Sequence, residues 1–184
     1  MENPYHHIPL PSPRSIRIIH LTPSAEFASP LHCRLVAVSL DEYPKYNADY
    51  TALSYSWDSQ TPSSRIGCDN GTLLITPNCE SALRRLRDPE KMQILWIDSI
   101  CINQSPNAID ERNQQVALMG EIYQSAKRVV VWVGESDERT VRAIEKIREV
   151  SSTAEPSSFE HRKEIQREVR ERVQGIACRK SCNY

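Results

Sequence analysis

Apolar residues gather in short runs between residues 15 and 133, and the spacing inside each run indicates the element it forms. "SIRIIHL" (15–21) and "LHCRLVAVSL" (31–40) are rich in branched aliphatics and flank a Pro/Ser loop, so both read as strands. "YTALSYSW" (50–57) is a third. "RIGCDNGTLLIT" (65–76) reads as a hairpin, with Asn70-Gly71 supplying the positive φ angles of a tight turn. A helix is predicted to start at Asn78, its N-cap, just after Pro77, and to stop near Asp88-Pro89. Ala82, Leu83 and Leu86 face inward in this helix, and Arg84, Arg85 and Arg87 face out. "ILWI" (94–97) is the next strand. From about Asp110 to Ser125 the residues Val116, Met119, Tyr123 and Ala126 recur at helical spacing, with Ile122 beside them. Gly120 inside that helix costs about 1 kcal/mol relative to Ala, which points to a close backbone contact on its side. "RVVVWV" (128–133) is apolar at every position after Arg128, the pattern of a strand covered on both faces.

Strand and helix alternate through the middle of the chain. This predicts an α/β fold with a mostly parallel central sheet and flanking helices, in which 50–57, 94–97 and 128–133 run parallel. The N-terminal strands and the hairpin add antiparallel pieces. Residues 1–13 hold four prolines and read as a disordered lead-in to a domain over 14–135. Beyond Gly134 the character changes. Residues 136–150 and 157–173 are highly charged helices, and Ser157 and Glu160 have capping-box spacing. Ile165, Val169, Val173 and Ile176 form a thin apolar line. Residues 136–184 are thus a charged helical extension: a pair of surface helices, an arm for a partner, or the truncated start of a longer C-terminal region.

Composition narrows the function. Among 184 residues, 23 basic and 24 acidic side chains leave a net charge of −1, so no basic field is available for nucleic acid. No apolar run approaches the roughly 20 residues of a membrane span. The N-terminus lacks the basic-then-apolar pattern of a secretory signal. Cysteines 33, 68, 79, 101, 178 and 182 form no C-x-x-C pair, which fits reduced thiols in a cytoplasmic protein. Cys178 and Cys182 could share a helix face, but neither has His or Cys neighbours to complete a metal site. No P-loop, dinucleotide fingerprint or metal motif is present.

The candidate chemistry gathers after the strand 94–97. Asp98 follows it directly, and the carboxyl ends of parallel strands line ligand crevices. Asp98 either serves such a crevice, or caps the next turn, or pairs with Arg112. Glu111 suits a helix N-terminal turn electrostatically; Arg112 does not, so a tertiary partner is expected for it, most simply Asp98. The functional alternative makes Glu111 and Asp98 catalytic carboxylates. Cys101 has no His in the neighbouring blocks to act as base, so a small buried residue is the better reading than a nucleophile. Asn103, Gln104 and Gln115, with Ser54 and Tyr55 at the end of the third strand, complete the polar set. Trp57, Trp96 and Trp132 each sit in an apolar strand and read as core, although one of them could floor a pocket.

"YTALSYSW", "ILWIDSICINQ" and "DERNQQVALMGEIYQSAKRVVVWVGE", in this order and spacing, resemble the fungal heterokaryon-incompatibility (HET) domain over about residues 14–135. Two positions depart from the family pattern: Asp58 stands where Gly is usual, and Ser99 where Ala is usual. The resemblance implies an effector in fungal non-self recognition that triggers growth arrest or programmed cell death. "YTALSYS" and "YQSAKRVVVWV" are more weakly similar to the TIR domains of innate immunity, which implies a TIR/flavodoxin-like core. Two mechanisms follow. The domain assembles with copies of itself or with an incompatibility or receptor protein and needs no cofactor. Alternatively, it cleaves the nicotinamide–ribose bond of NAD as TIR enzymes do, with NAD as substrate. A third role is that of a truncated or decoy member. No nucleic acid and no membrane span enter any of them.

Overall fold

In the computed structural model, residues 3–42, 50–57, 60–69 and 71–135 are described, together with Arg142, Glu145, Lys146 and Glu149. Met1–Glu135 forms one compact unit and Ser136–Tyr184 another. The predicted charged helices lie almost wholly outside the described residues.

The first unit is built on one seven-stranded sheet. Its strands are β1 (Ser15–Leu21), β2 (His32–Ser39), β3 (Thr51–Tyr55), β4 (Ser64–Cys68), β5 (Gly71–Ile75), β6 (Gln93–Ile97) and β7 (Arg128–Trp132). The order across the sheet is β5-β4-β2-β1-β6-β3-β7. β6, β3 and β7 are parallel, as expected: Ala52 lies opposite Trp96 on one side and Val129 on the other. β1 is antiparallel to both β2 and β6, and β4 to β5. The sheet is therefore mixed rather than mostly parallel. β1 is the pivot: antiparallel to both neighbours, it joins the hairpin side to the parallel trio. It is also the most completely covered strand, with Ile16 and Ile19 fully buried.

Helix α1 (Pro77–Leu86) starts one residue before the predicted cap. Thr76 is the N-cap, its hydroxyl accepting the Cys79 N–H at 3.2 Å, and Pro77 takes the first turn, where no N–H is needed. Asn78 is thereby freed for tertiary bonds. Arg87, expected to face solvent, is only 9% exposed. Its guanidinium donates to the carbonyls of Glu26, Phe27, Ser29 and Pro30 and staples that loop. A short helix α2 (Asp98–Cys101) follows β6, and α3 (Ile109–Ser125) leads to β7. The buried stripe of α3 is displaced by one residue from the expected one. Gln115 and Ile122 are buried, whereas Val116 is 53% exposed. Gln115 displaces the valine because its Nε2 donates to the Ser15 carbonyl at 2.9 Å. Gly120 faces open space, so no close contact explains it.

Three further expectations change. β7 is an edge strand with Val129 and Val131 exposed on one face, because covering helices are lacking there among the described residues. The run of valines did not distinguish one covered face from two. In the hairpin the positive φ, 47°, falls on Asp69, not Gly71. Gly71 is required for space instead, since a Cβ there would meet the Tyr5 Cα at 2.7 Å. That contact belongs to the lead-in, which makes specific bonds from residue 3 onward. Asn3 and Tyr5 bond the backbone of Thr72, and the His7 imidazole donates to the Ile100 carbonyl at 2.8 Å.

Trp96 is fully buried and meets Tyr123 of α3 edge to face, with ring centroids 5.4 Å apart. Trp96→Ala is expected to cost about 3–5 kcal/mol in chemical denaturation, as for other large buried aromatics. A loss under about 1 kcal/mol would show that α3 does not pack through this ring.

Candidate functional site

The two candidate carboxylates have separate surroundings. Glu111, in the first turn of α3, is gripped by Arg17 from β1: Arg17 Nη1 and Nη2 donate to its two carboxylate oxygens at 2.7 and 3.0 Å. The Arg17 side chain is 3% exposed and that of Glu111 21%. Arg17 also donates to the Cys101 carbonyl at 3.2 Å and the Ile8 carbonyl at 2.6 Å. The bidentate bond to Arg17 holds the Glu111 carboxyl below the usual carboxylate range, against the opposing effect of burial. The signal for this pair was present in "SIRIIHL", where an arginine interrupts an otherwise apolar strand.

Asp98 lies elsewhere and pairs with no cation among the described residues. No ion pair links it to Arg112, and Arg112 makes none among the described residues. Asp98 Oδ1 accepts its neighbour's Ser99 N–H at 2.7 Å. Burial raises the Asp98 carboxyl above its ordinary value, outweighing that bond and the favourable influence of the nearby Trp57 side chain. Asp98 lies at the carboxyl end of β6, but Glu111 and Arg112 do not join it there, because Glu111 is held by Arg17. Tyr55 closes β3 and donates to the Ser99 hydroxyl at 2.7 Å. Trp57 stacks on Tyr55 at 6.5 Å and is 43% exposed, so it forms a rim rather than core. Trp132 of β7 donates to Asn78 Oδ1 at 2.8 Å, and Asn78 donates in turn to the Ser56 carbonyl at 2.8 Å. Burial raises the Tyr123 phenol, and the nearby Asp98 charge adds to that effect. Asn78 was read only as a cap, so its bridging role was missed.

The remaining candidates bond or pack within the fold. Cys101 is fully buried, and burial pushes its thiol up to about 12; Cys79 beside the cluster is pushed up to about 11. Neither offers a thiolate near neutral pH. Asn103 accepts the Ser105 N–H at 3.0 Å and shapes the turn into α3. Gln104 donates to the Ile102 carbonyl at 3.2 Å. Gln115 is buried against β1, and its Oε1 finds no partner among the described residues. Asp58 lies outside the described residues. No group of three His, Cys, Asp or Glu side chains among the described residues is placed to hold a metal ion. Chemically, the Asp98 cluster offers one carboxylate to a hydroxyl or cation, and one half-exposed indole face to a planar group.

The two carboxylates predict stability changes of opposite sign. Glu111 has a depressed pKa, so its contribution is present above the ordinary carboxylate pKa of about 4.3 and is lost as pH falls through the folded value. Glu111→Gln strands a buried guanidinium and should cost about 3 kcal/mol at pH 7, the low end for a broken buried pair because Glu111 is partly solvated. Asp98 has a raised pKa, so the folded state binds its proton more tightly and stability falls as pH rises from the ordinary carboxylate value through the folded one. Asp98→Asn should therefore be neutral or stabilising at pH 7. Urea denaturation at pH 4 and pH 7 checks both, and destabilisation by Asp98→Asn as large as that by Glu111→Gln would contradict the assignment.

The chain matches known proteins in sequence but not among solved structures. The model of the family described as heterokaryon incompatibility protein (HET) matches residues 50–182. The chain is 30% identical over 177 residues to heterokaryon incompatibility protein 6, OR allele, of Neurospora crassa. That match covers 86% of this chain and 25% of the Neurospora protein, so the chain spans about a quarter of its relative's length. No solved structure matches. No helix among the described residues is long and apolar enough to cross a membrane. The motif blocks around Tyr55, Asp98 and Glu111 all fall inside the matched span, and the chain belongs to the heterokaryon incompatibility (HET) family.

Proposed function

We propose that the chain is the effector domain of a fungal non-self recognition protein, that it acts in the cytosol to trigger programmed cell death, and that it does so by assembly or partner binding. The family match supports the biological role. The observation that most supports the mechanism is the chelation of Glu111 by Arg17. It occupies both oxygens of one candidate catalytic carboxylate and leaves Asp98 as a lone acid. A lone acid flanked by protonated thiols and phenols suits recognition better than nucleophilic or two-carboxylate catalysis. Trp57 and Asp98 together form the recognition surface.

The second reading, cleavage of NAD, draws on the same cluster. The exposed face of Trp57 suits a stacked ring and Asp98 a ribose hydroxyl, and the parallel trio β6-β3-β7 supports a TIR-like core over that part of the sheet. The two readings separate cleanly. The purified chain is expected to release no nicotinamide from NAD; release that Asp98→Asn abolishes would replace assembly by hydrolysis. Overexpressed in a fungal host, the wild type is expected to arrest growth, and Asp98→Asn and Trp57→Ala at equal protein level to lose that effect. Full killing by both variants would remove this surface from the mechanism.

A further inference from the structure

β7 ends the sheet, bonded on one side to β3 and on the other to no strand among the described residues. Val129 is 47% exposed, Val131 66% and Val133 74%. Their alternation puts all three on one face, while Val130 and Trp132 pack against the core. Protected edges usually carry a central charge, a proline or a bulge that discourages further pairing. The segment 127–135, "KRVVVWVGE", has none of these in its middle and is charged only toward its ends.

Those charges are arranged self-complementarily. Read antiparallel against itself about Val131, the segment sets Lys127 opposite Glu135, Val129 opposite Val133, and Val131 opposite Val131. Aligned parallel in register, it would set Lys127 against Lys127 and Glu135 against Glu135, which is unfavourable. Glu135 already takes a hydrogen bond from Arg85 at 2.9 Å in an exposed pair, so its carboxylate is held at the end of the strand.

We propose that β7 pairs antiparallel with β7 of a second copy of this chain, about a twofold axis through Val131 and normal to the sheet. Two seven-stranded sheets then become one, and the valines of both copies form a continuous strip on one face. The contact is isologous and closes at two copies, so it yields a discrete dimer and not a fibre. It deepens the assembly reading of the proposed function, and rests on it for biological meaning, by naming the partner and the surface.

The test is the mass of the full 184-residue chain across a concentration series by sedimentation equilibrium. The wild type is expected to be a concentration-dependent dimer. Val131→Lys sets two ammonium groups against each other at the axis and should weaken the dimer at least about tenfold. Lys127→Glu and Glu135→Lys should each weaken it about tenfold, and the double swap should recover most of the loss, because opposite charges then face each other again. Circular dichroism should show all variants folded, since the substituted side chains are not in the core. A monomeric wild type at every concentration would overturn the proposal, as would a dimer indifferent to Val131→Lys or a double swap no better than the singles. A dimer indifferent to Val131→Lys would still leave assembly through another surface intact, and the killing assay reads that independently.

Discussion

The fold is organised around one buried cation. Arg17 sits in the middle of β1, 3% exposed, and a guanidinium taken out of water is tolerable only if its donors are satisfied and its charge is matched. Its bonds tie the central strand to three other parts of the chain: Glu111 in the first turn of α3, Cys101 at the end of α2, and Ile8 in the lead-in. Fixing the start of α3 fixes its register over the sheet. That register buries Ile122, brings Tyr123 edge-on to Trp96, and places Gln115 against Ser15. The hydroxyl of Tyr50, just before β3, donates to the Ile122 carbonyl and ties the far end of the same helix.

Asp98 is the counterpart with no such match. It lies at the carboxyl end of a parallel strand, and burial raises its pKa with no cation among the described residues to offset the effect. Trp57 and Tyr55 are stacked beside it, and Asn78 ties Trp132 to the end of β3. The cluster thus ties together β3, β7 and α1.

Much of this was readable in the residues. Branched aliphatic runs marked the strands, and alternation with helices gave the parallel trio. The acid after "ILWI" marked the carboxyl end of β6. The failures share one cause: a local pattern does not state what lies across from it. Four apolar residues and a tryptophan in 129–133 look the same at an edge as in a centre. Val116 fits the helical stripe better than Gln115 does, until the Ser15 carbonyl supplies the glutamine with a partner. Arg112 drew attention for its awkward place in a helix, while the arginine that matters sat in a strand. The lead-in looked loose from its prolines, yet Gly71 opposite Tyr5 leaves room for it to lie against β5.

A double-mutant cycle on Arg17 and Glu111, read by urea denaturation at pH 7, tests the organising role of the pair most directly. If the pair is the anchor, removing both charges together with Arg17→Met and Glu111→Gln leaves no stranded ion. The double variant should then be more stable than the sum of the single losses implies, by about 2 kcal/mol or more. Additive losses, within about 0.5 kcal/mol, would mean that Arg17 and Glu111 act separately and that the fold hangs on something else.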